Sequence, residues 1–351
     1  MMRLPWFDFR APKSLAEAAK ILAAEGPRAM LIAGGTDLLP NMKRRHQVPA
    51  TLISLRQVEG LKKIANGRGT KTADLTLGAG LTLNEVVADP GVRGQYAGLW
   101  QAAAQVATTH LRNMGTLGGN LCLDTRCNYY NQNYEWRKAI DFCMKKDGET
   151  CWVATASKRC VATSSTDTAP ALIALGASVR LVSSQGEREV ALADLYRNDG
   201  IDYLTRRPDE ILTEVKLPAA AGWRSTYWKL RRRGAFDFPV LGVAAAVKTA
   251  PDGTVEEARL ALGAVSSRPF LVAGAGEFLA GRKLTDEVIA AAGEKAASRA
   301  KPMDNTDLDI YWRKQVVAEF VGYALRELRG DDMSATRLRI ARQTLSALAP
   351  A

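Results

Sequence analysis

Apolar and polar positions follow three different patterns along this chain. In the first stretch, Ser14-Leu15-Ala16-Glu17 has the spacing of a capping box, and the alanine-rich run behind it predicts a helix to about Glu25-Gly26. Ala29-Met30-Leu31-Ile32 is a short apolar run of the kind that makes a buried strand, and Leu52-Ile53-Ser54-Leu55, entered after Pro49, predicts another. Residues 1–60 therefore predict a small α/β unit.

The second stretch opens with a strand at Leu75-Thr76-Leu77-Gly78 and a second capped helix at Thr82-Leu83-Asn84-Glu85. An apolar tract over about 91–109 predicts one long helix, and regular structure resumes at Thr168 after a cysteine-bearing segment. Strands over about 177–183 and 211–217 close this unit, which spans 61–218 with an insertion at about 122–163. The linker Ala219-Ala220-Ala221-Gly222 leads into a third unit, 223–330. Its strands at about 226–232, 240–248 and 255–264 precede helices at about 284–299 and 308–328, the last with one apolar face through Val316, Val317, Phe320, Val321 and Ala324. The order is that of an α+β chain with an α+β C-terminal domain.

A chain of 351 residues, 47% hydrophobic and 24% charged, is long enough for two or three globular domains. No run reaches the length of a membrane span, and the start lacks an apolar signal core, so a cytoplasmic location is expected. The net charge of +11 is spread out except at Lys43-Arg44-Arg45 and Lys229-Leu230-Arg231-Arg232-Arg233, and no nucleic-acid motif accompanies it. A solvated basic surface and attraction of an acidic redox partner both account for it.

Four of the five cysteines, Cys127, Cys143, Cys151 and Cys160, fall in one 34-residue stretch, with steps of 16, 8 and 9. Thiolates are soft ligands, so the segment reads as a metal site. The two pairs of C-x₂₋₄-C that zinc ribbons use are not both present, and an odd cysteine count argues against a disulfide framework. The residues alone leave a cubane iron–sulfur cluster, a zinc ion and unligated thiols as alternatives.

Ala33-Gly34-Gly35-Thr36-Asp37 follows a predicted buried strand, and adjacent glycines let successive N–H groups point into one concavity suited to a diphosphate. Neither G-x-G-x-x-G nor the P-loop pattern is present. A second loop, Gly115-Thr116-Leu117-Gly118-Gly119-Asn120, adds three glycines, a hydroxyl and an amide. Two such loops on neighbouring units can grip one diphosphate from both sides.

Leu31-Ile32-Ala33-Gly34-Gly35-Thr36-Asp37-Leu38, Arg112-Asn113-Met114-Gly115-Thr116-Leu117-Gly118-Gly119-Asn120-Leu121 and Asp167-Thr168-Ala169-Pro170 together resemble the FAD-binding medium subunit of molybdenum hydroxylases, the family of carbon monoxide and xanthine dehydrogenases. The resemblance implies that Leu31, Ile32, Ala33, Gly34, Gly35, Thr36, Asp37 and Leu38 wrap the FAD diphosphate from one side, and that Gly115, Thr116, Gly118, Gly119 and Asn120 meet it from the other. It places Val106 and Ala107 near the flavin ring and Leu212 against the ring or adenine. Asp167 would bond ribityl or ribose hydroxyls, with a helix N-cap as the plain alternative, and Lys229 would approach the isoalloxazine, with a surface base as the alternative. His110 receives no role.

Most of that family passes from the Gly-Gly-Asn loop to the Asp-x-x-Pro in a short turn, whereas here Asn120 and Asp167 are separated by 46 residues. That departure resembles one branch, the flavoprotein subunit of 4-hydroxybenzoyl-CoA reductase, which carries a [4Fe–4S] cluster on such an insertion. The resemblance implies Cys127, Cys143, Cys151 and Cys160 as its ligands and leaves Cys122 as a buried thiol. Tyr129, Tyr130, Tyr134, Trp136, Phe142 and Trp152 would exclude water, and Arg126, Arg137, Lys145, Lys146, Lys158 and Arg159 would offset cluster charge or draw a ferredoxin. It further implies partner subunits holding a molybdenum cofactor and two [2Fe–2S] clusters, in a dimer of heterotrimers. Electrons from ferredoxin would reach molybdenum for dehydroxylation to benzoyl-CoA. The flavin subunit of an oxidative enzyme of the xanthine or aldehyde dehydrogenase type is the alternative, and no catalytic residue is expected on this chain.

Overall fold

The computed structural model describes residues 3–65 and 73–341. The first unit runs β1 (Asp8–Arg10), α1 (Leu15–Glu25), β2 (Ala29–Ile32), α2 (Leu38–Lys43), β3 (Thr51–Ser54), and forms a parallel sheet ordered β1-β3-β2. Ser14 Oγ accepts from Glu17 N at 3.2 Å, but the Glu17 carboxylate returns to Lys13 N rather than Ser14 N, so the capping box closes one residue early. Ala18, Ala19 and Leu22 on α1 bury against Ile53, which sets the helix on one face of the sheet.

Then follow β4 (Ile64–Ala65), β5 (Leu75–Gly78), α3 (Leu83–Ala88), α4 (Pro90–Gln95), α5 (Ala97–Ala104), α6 (Thr109–Arg112), α7 (Leu117–Leu121), α8 (Tyr134–Ala139), α9 (Thr168–Ala174), β6 (Ser178–Ser183), β7 (Gly186–Ala191) and β8 (Ile211–Leu217). The strands make an antiparallel sheet ordered β4-β5-β8-β6-β7. Thr82 and Glu85 complete the capping box of α3 in both directions. The single helix expected over 91–109 is instead three helices. Tyr96 leaves helical geometry at φ −125° and ψ 56°, buries its ring, and donates its hydroxyl to Pro218 O at 3.0 Å, which breaks α4 from α5.

The cysteine insertion leaves and rejoins this unit through one antiparallel step: Arg126 N donates to Thr163 O and Thr163 N to Arg126 O, both at 2.8 Å. Between them only α8 is regular; the rest is turns, such as Lys146 N to Cys143 O at 2.8 Å.

The C-terminal unit contains β9 (Trp223–Leu230), β10 (Leu241–Thr249), β11 (Val255–Gly263), β12 (Phe270–Leu271), α10 (Ala275–Leu279), α11 (Asp286–Arg299), α12 (Ile310–Arg329) and α13 (Ser334–Ala341). Its antiparallel sheet, β12-β11-β10-β9, buries one face against α11 and α12 through Val243, Leu260, Ile289, Val317 and Val321. The other face looks back at the second unit: Gln101 Oε1 on α5 accepts from Tyr227 N at 2.8 Å and Thr226 Oγ1 at 3.0 Å on β9. Among the described residues no helix is long and apolar enough to cross a membrane.

Candidate functional site

The two glycine loops converge. A Cβ built on Gly34 would lie 1.9 Å from Met114 O, so the loop after β2 is pressed against the loop before α7 with only a hydrogen between them. They border a cavity of about 850 Å³, within the roughly 300–1,000 Å³ common to cofactor sites. Residues 31–38, Val106, Ala107, Gly115, Thr116, Gly118, Gly119, Asn120, Asp167 and Leu212 all line it.

The second loop is held from behind. Asn120 Oδ1 accepts from Thr166 Oγ1 at 2.8 Å, Thr168 Oγ1 at 2.6 Å and Thr168 N at 3.2 Å, so the start of α9 is fastened to the Gly-Gly-Asn turn. Asn120 thereby supplies the capping bond at the helix start. Asp167 stands at the N-cap position of α9 but makes no side-chain cap bond. Its two oxygens instead accept from Tyr227 Oη at 2.8 Å and Lys229 Nζ at 2.9 Å.

Lys229 is 1% exposed and does not line the cavity, so it is no surface base. Its ammonium also donates to Gln105 O at 3.0 Å and Asp237 O at 2.9 Å, which fills its three donors. Burial pushes the Asp167 carboxyl up and the Lys229 ammonium down, and each supports the charge of the other. Asp167 faces the cavity with Lys229 behind it.

Opposite, Ala107 holds φ at 45°, and Phe236 N donates to its carbonyl at 3.1 Å with φ at 55°. Two non-glycine residues in the left-handed region, bonded to one another on the cavity wall, mark a corner that the surrounding fold holds under strain. Phe236 and Phe238 are half-exposed there, as an apolar edge beside the polar loops.

Several wall residues went unassigned in the sequence, Asp124, Ser165, Tyr203, Arg206 and Phe236, and Arg126, expected to offset cluster charge, stands on this wall instead. The hydroxyl-rich Ser164-Ser165-Thr166-Asp167-Thr168 was the signal for one of them. Ser165 Oγ and Arg126 Nε are buried with no hydrogen-bond partner among the described residues. Unspent donors and glycine backbone on the wall of a large cavity suit a polyhydroxylated, diphosphate-bearing cofactor.

In the insertion, all four cysteines are buried free thiols, and Cys127, Cys143 and Cys160 share one small core with Tyr130 and Ala162. Cys151 lies within electrostatic reach of Cys160. Burial pushes the Cys127 thiol up to about 12 and the Cys160 thiol up to about 11. Among the described residues, no three metal-ligating side chains close on a single ion. Cys122, expected to be a buried thiol, is only partly buried and lines the cavity, where desolvation raises its thiol.

The aromatic residues divide differently from the expectation. Tyr130 is buried, whereas Tyr134, Trp136 and Trp152 are 43%, 40% and 38% exposed and do not seal the thiols from water. The bases divide too: Arg126, Arg137 and Lys145 are interior, with Lys145 Nζ on Asp124 Oδ1 at 2.8 Å, Thr125 Oγ1 at 2.8 Å and Gly200 O at 2.6 Å. Lys158 and Arg159 lie nearer the outside.

Residues 5–220 match the family described as the FAD binding domain in molybdopterin dehydrogenase, and 225–328 that described as the CO dehydrogenase flavoprotein C-terminal domain. The chain belongs to the FAD-binding medium subunits of the molybdenum hydroxylase family, and it binds FAD. It is 34% identical over 278 residues to the aldehyde oxidoreductase FAD-binding subunit PaoB of Escherichia coli K12, covering 77% of this chain and 84% of that one. It is 27% identical over 325 residues to the carbon monoxide dehydrogenase medium chain of Hydrogenophaga pseudoflava, covering 92% and 96%. A solved structure of carbon monoxide dehydrogenase from that organism superimposes with a TM-score of 0.76 at 26% identity, over 93% of this chain and 99% of that one. Quinoline 2-oxidoreductase from Pseudomonas putida 86 gives 0.72 at 26%, over 98% and 100%.

A flavin in such a cavity supplies exchange of electrons in single steps, and the protein supplies binding, spacing and electrostatics. The second glycine loop spends the N–H groups of Gly115, Gly118 and Gly119 on Leu111 O, Ala79 O and Thr116 Oγ1, so it offers a close-fitting wall rather than free donors; Asn120 and Thr166 keep it in place, and Lys229 and Tyr227 fix the Asp167 carboxylate.

Proposed function

We propose that this chain is the FAD and [4Fe–4S] electron-transfer subunit of a molybdenum-dependent oxidoreductase. It works beside a large subunit that holds the molybdenum cofactor and substrate, and a small subunit that holds two [2Fe–2S] clusters, in a dimer of heterotrimers. The observation that carries the reading is the gathering of four buried free thiols on an insertion whose first residues, Asp124 and Arg126, line the FAD cavity. Zinc would draw its sulfurs nearly into contact, with each bond about 2.3 Å. A cubane asks for wider ligand spacing; Cys127, Cys143 and Cys160 share one core, with Cys151 beside Cys160.

The insertion's resemblance favours the reductive version, in which ferredoxin supplies electrons and the partner's molybdenum site removes the phenolic hydroxyl of 4-hydroxybenzoyl-CoA. A specific observation favours the oxidative version: the relative 34% identical to this chain is named an aldehyde oxidoreductase subunit. In that case an aldehyde is the electron source at the partner's site.

The test is anaerobic purification with both partner subunits, with iron, zinc and FAD measured and EPR recorded on dithionite reduction. About four irons beyond the small subunit's share, with a [4Fe–4S] signal lost in Cys143→Ser, is the expected result. Zinc without extra iron sinks the cluster reading. Dehydroxylation of 4-hydroxybenzoyl-CoA by reduced ferredoxin, against dye reduction by aromatic and aliphatic aldehydes, decides the direction.

A further inference from the structure

The residue that precedes the first cysteine of the insertion reaches into the flavin cavity. Arg126 has a side chain only 7% exposed, and its guanidinium pairs with the carboxylate of Asp37, in the glycine loop after β2. Arg126 Nη1 also donates to Asn41 Oδ1 at 3.1 Å, and Asn41 Nδ2 donates to Asp37 Oδ2 at 3.1 Å, so the three side chains form a closed triangle. The ring of Phe238 covers the guanidinium at 5.0 Å. Two main-chain bonds to Thr163 hold the Arg126 backbone in place.

The charges explain why such a triangle is needed. Asp37 is an anion on a loop that faces a diphosphate, and like charges on one poorly solvated wall repel. A guanidinium beside Asp37 cancels that repulsion, and its buried Nε–H has no protein acceptor among the described residues. We infer that Arg126 is a FAD-positioning residue contributed by the cysteine insertion, which neutralises Asp37 and ties the diphosphate loop to the main chain of Cys127. The inference rests on FAD binding; only its link to iron rests on the cluster reading. Flavin pocket and insertion are therefore one unit, joined at this pair.

The test uses the assembled complex, stripped of FAD, with rebinding followed by flavin fluorescence. Arg126→Gln should weaken FAD binding by about tenfold or more. Arg126→Lys should keep most of the affinity, and the Asp37→Asn/Arg126→Gln double variant should return to within about threefold of the parent. An unchanged affinity in Arg126→Gln overturns the inference, as does a double variant no better than the single. If Arg126→Gln does not assemble, Arg126→Lys and the double variant decide, because loss of FAD in the charge-conserving Arg126→Lys or in the double variant contradicts charge cancellation. Cys127→Ser should weaken FAD along with any loss of iron. A complex that carries no extra iron removes the cluster reading and leaves the Arg126 result standing on the FAD affinities.

Discussion

Lys229 and Asp167 meet at 2.9 Å with side chains 0% and 4% exposed, one on the C-terminal sheet and the other at the start of α9 beside the FAD cavity. Neither residue's sequence neighbours announce the other, yet the pair joins the two large parts of the chain at the cofactor wall.

Removing one member of a buried pair leaves an uncompensated charge, at a cost of about 3–5 kcal/mol. Lys229→Met should therefore lower the thermal midpoint and release FAD, and Lys229→Met/Asp167→Asn should recover part of both. Differential scanning calorimetry and flavin absorbance check this. A double variant as damaged as Lys229→Met shows that the ammonium's bonds to Gln105 O and Asp237 O dominate instead.

Gly34→Ala should abolish FAD binding with little change in secondary structure. The added methyl must displace the Met114 carbonyl, now 1.9 Å from where it would lie, so the two loops part. Flavin content of the purified variant, alongside its circular dichroism, tests the claim. Retained FAD at parental affinity contradicts the paired-loop cradle.

His46 stacks on Tyr130 at 4.3 Å, sits near Arg44 and Arg137, and bonds Gln132 O at 3.1 Å. Burial, partly offset by that bond, lowers its pKa from 6.5 to about 4. Between those values the unfolded chain takes up a proton that the folded chain refuses, so stability is full above pH 6.5 and falls as pH drops toward 4. The loss is about 3 kcal/mol. His46→Gln should flatten the stability slope in that window, measured by urea unfolding at stepped pH. An unchanged slope assigns the acid sensitivity elsewhere.

Gly200→Ala should disturb the insertion without removing a thiol. The new methyl would lie 2.7 Å from Cys160 Sγ and 2.8 Å from Ala162 Cβ. On the proposed cluster, iron content should fall while FAD remains, because Gly200 is not on the cavity wall. Full iron occupancy in this variant means that Cys160 has room to move and is no tightly placed ligand.

Local signals carried much of the architecture. Strand β8 lies at Ile211–Leu217 as its apolar pattern predicts, and α11 and α12 follow their buried stripes. An element that escaped notice has a weak pattern: β7 reads Gly-Glu-Arg-Glu-Val-Ala with nothing deeply buried. The break at Tyr96 is set by a hydroxyl bond to Pro218, far along the chain, which no window around the helix contains. The site divides in the same way. Glycine loops are local and legible, whereas the Asp37–Arg126 and Asp167–Lys229 pairs are tertiary, and Lys229 in a run of bases looks like surface until the sheet is built.

The step where Arg126 and Thr163 exchange their two 2.8 Å main-chain bonds is the doorway through which the whole insertion passes. A loop that begins and ends at adjacent, mutually bonded positions can be lengthened, trimmed or traded without reordering a single strand of the host sheet. A thiol-bearing lobe can thus be added to or removed from this host sheet by exchange at one point. Arg126, standing on the threshold, is the part that a graft would have to keep.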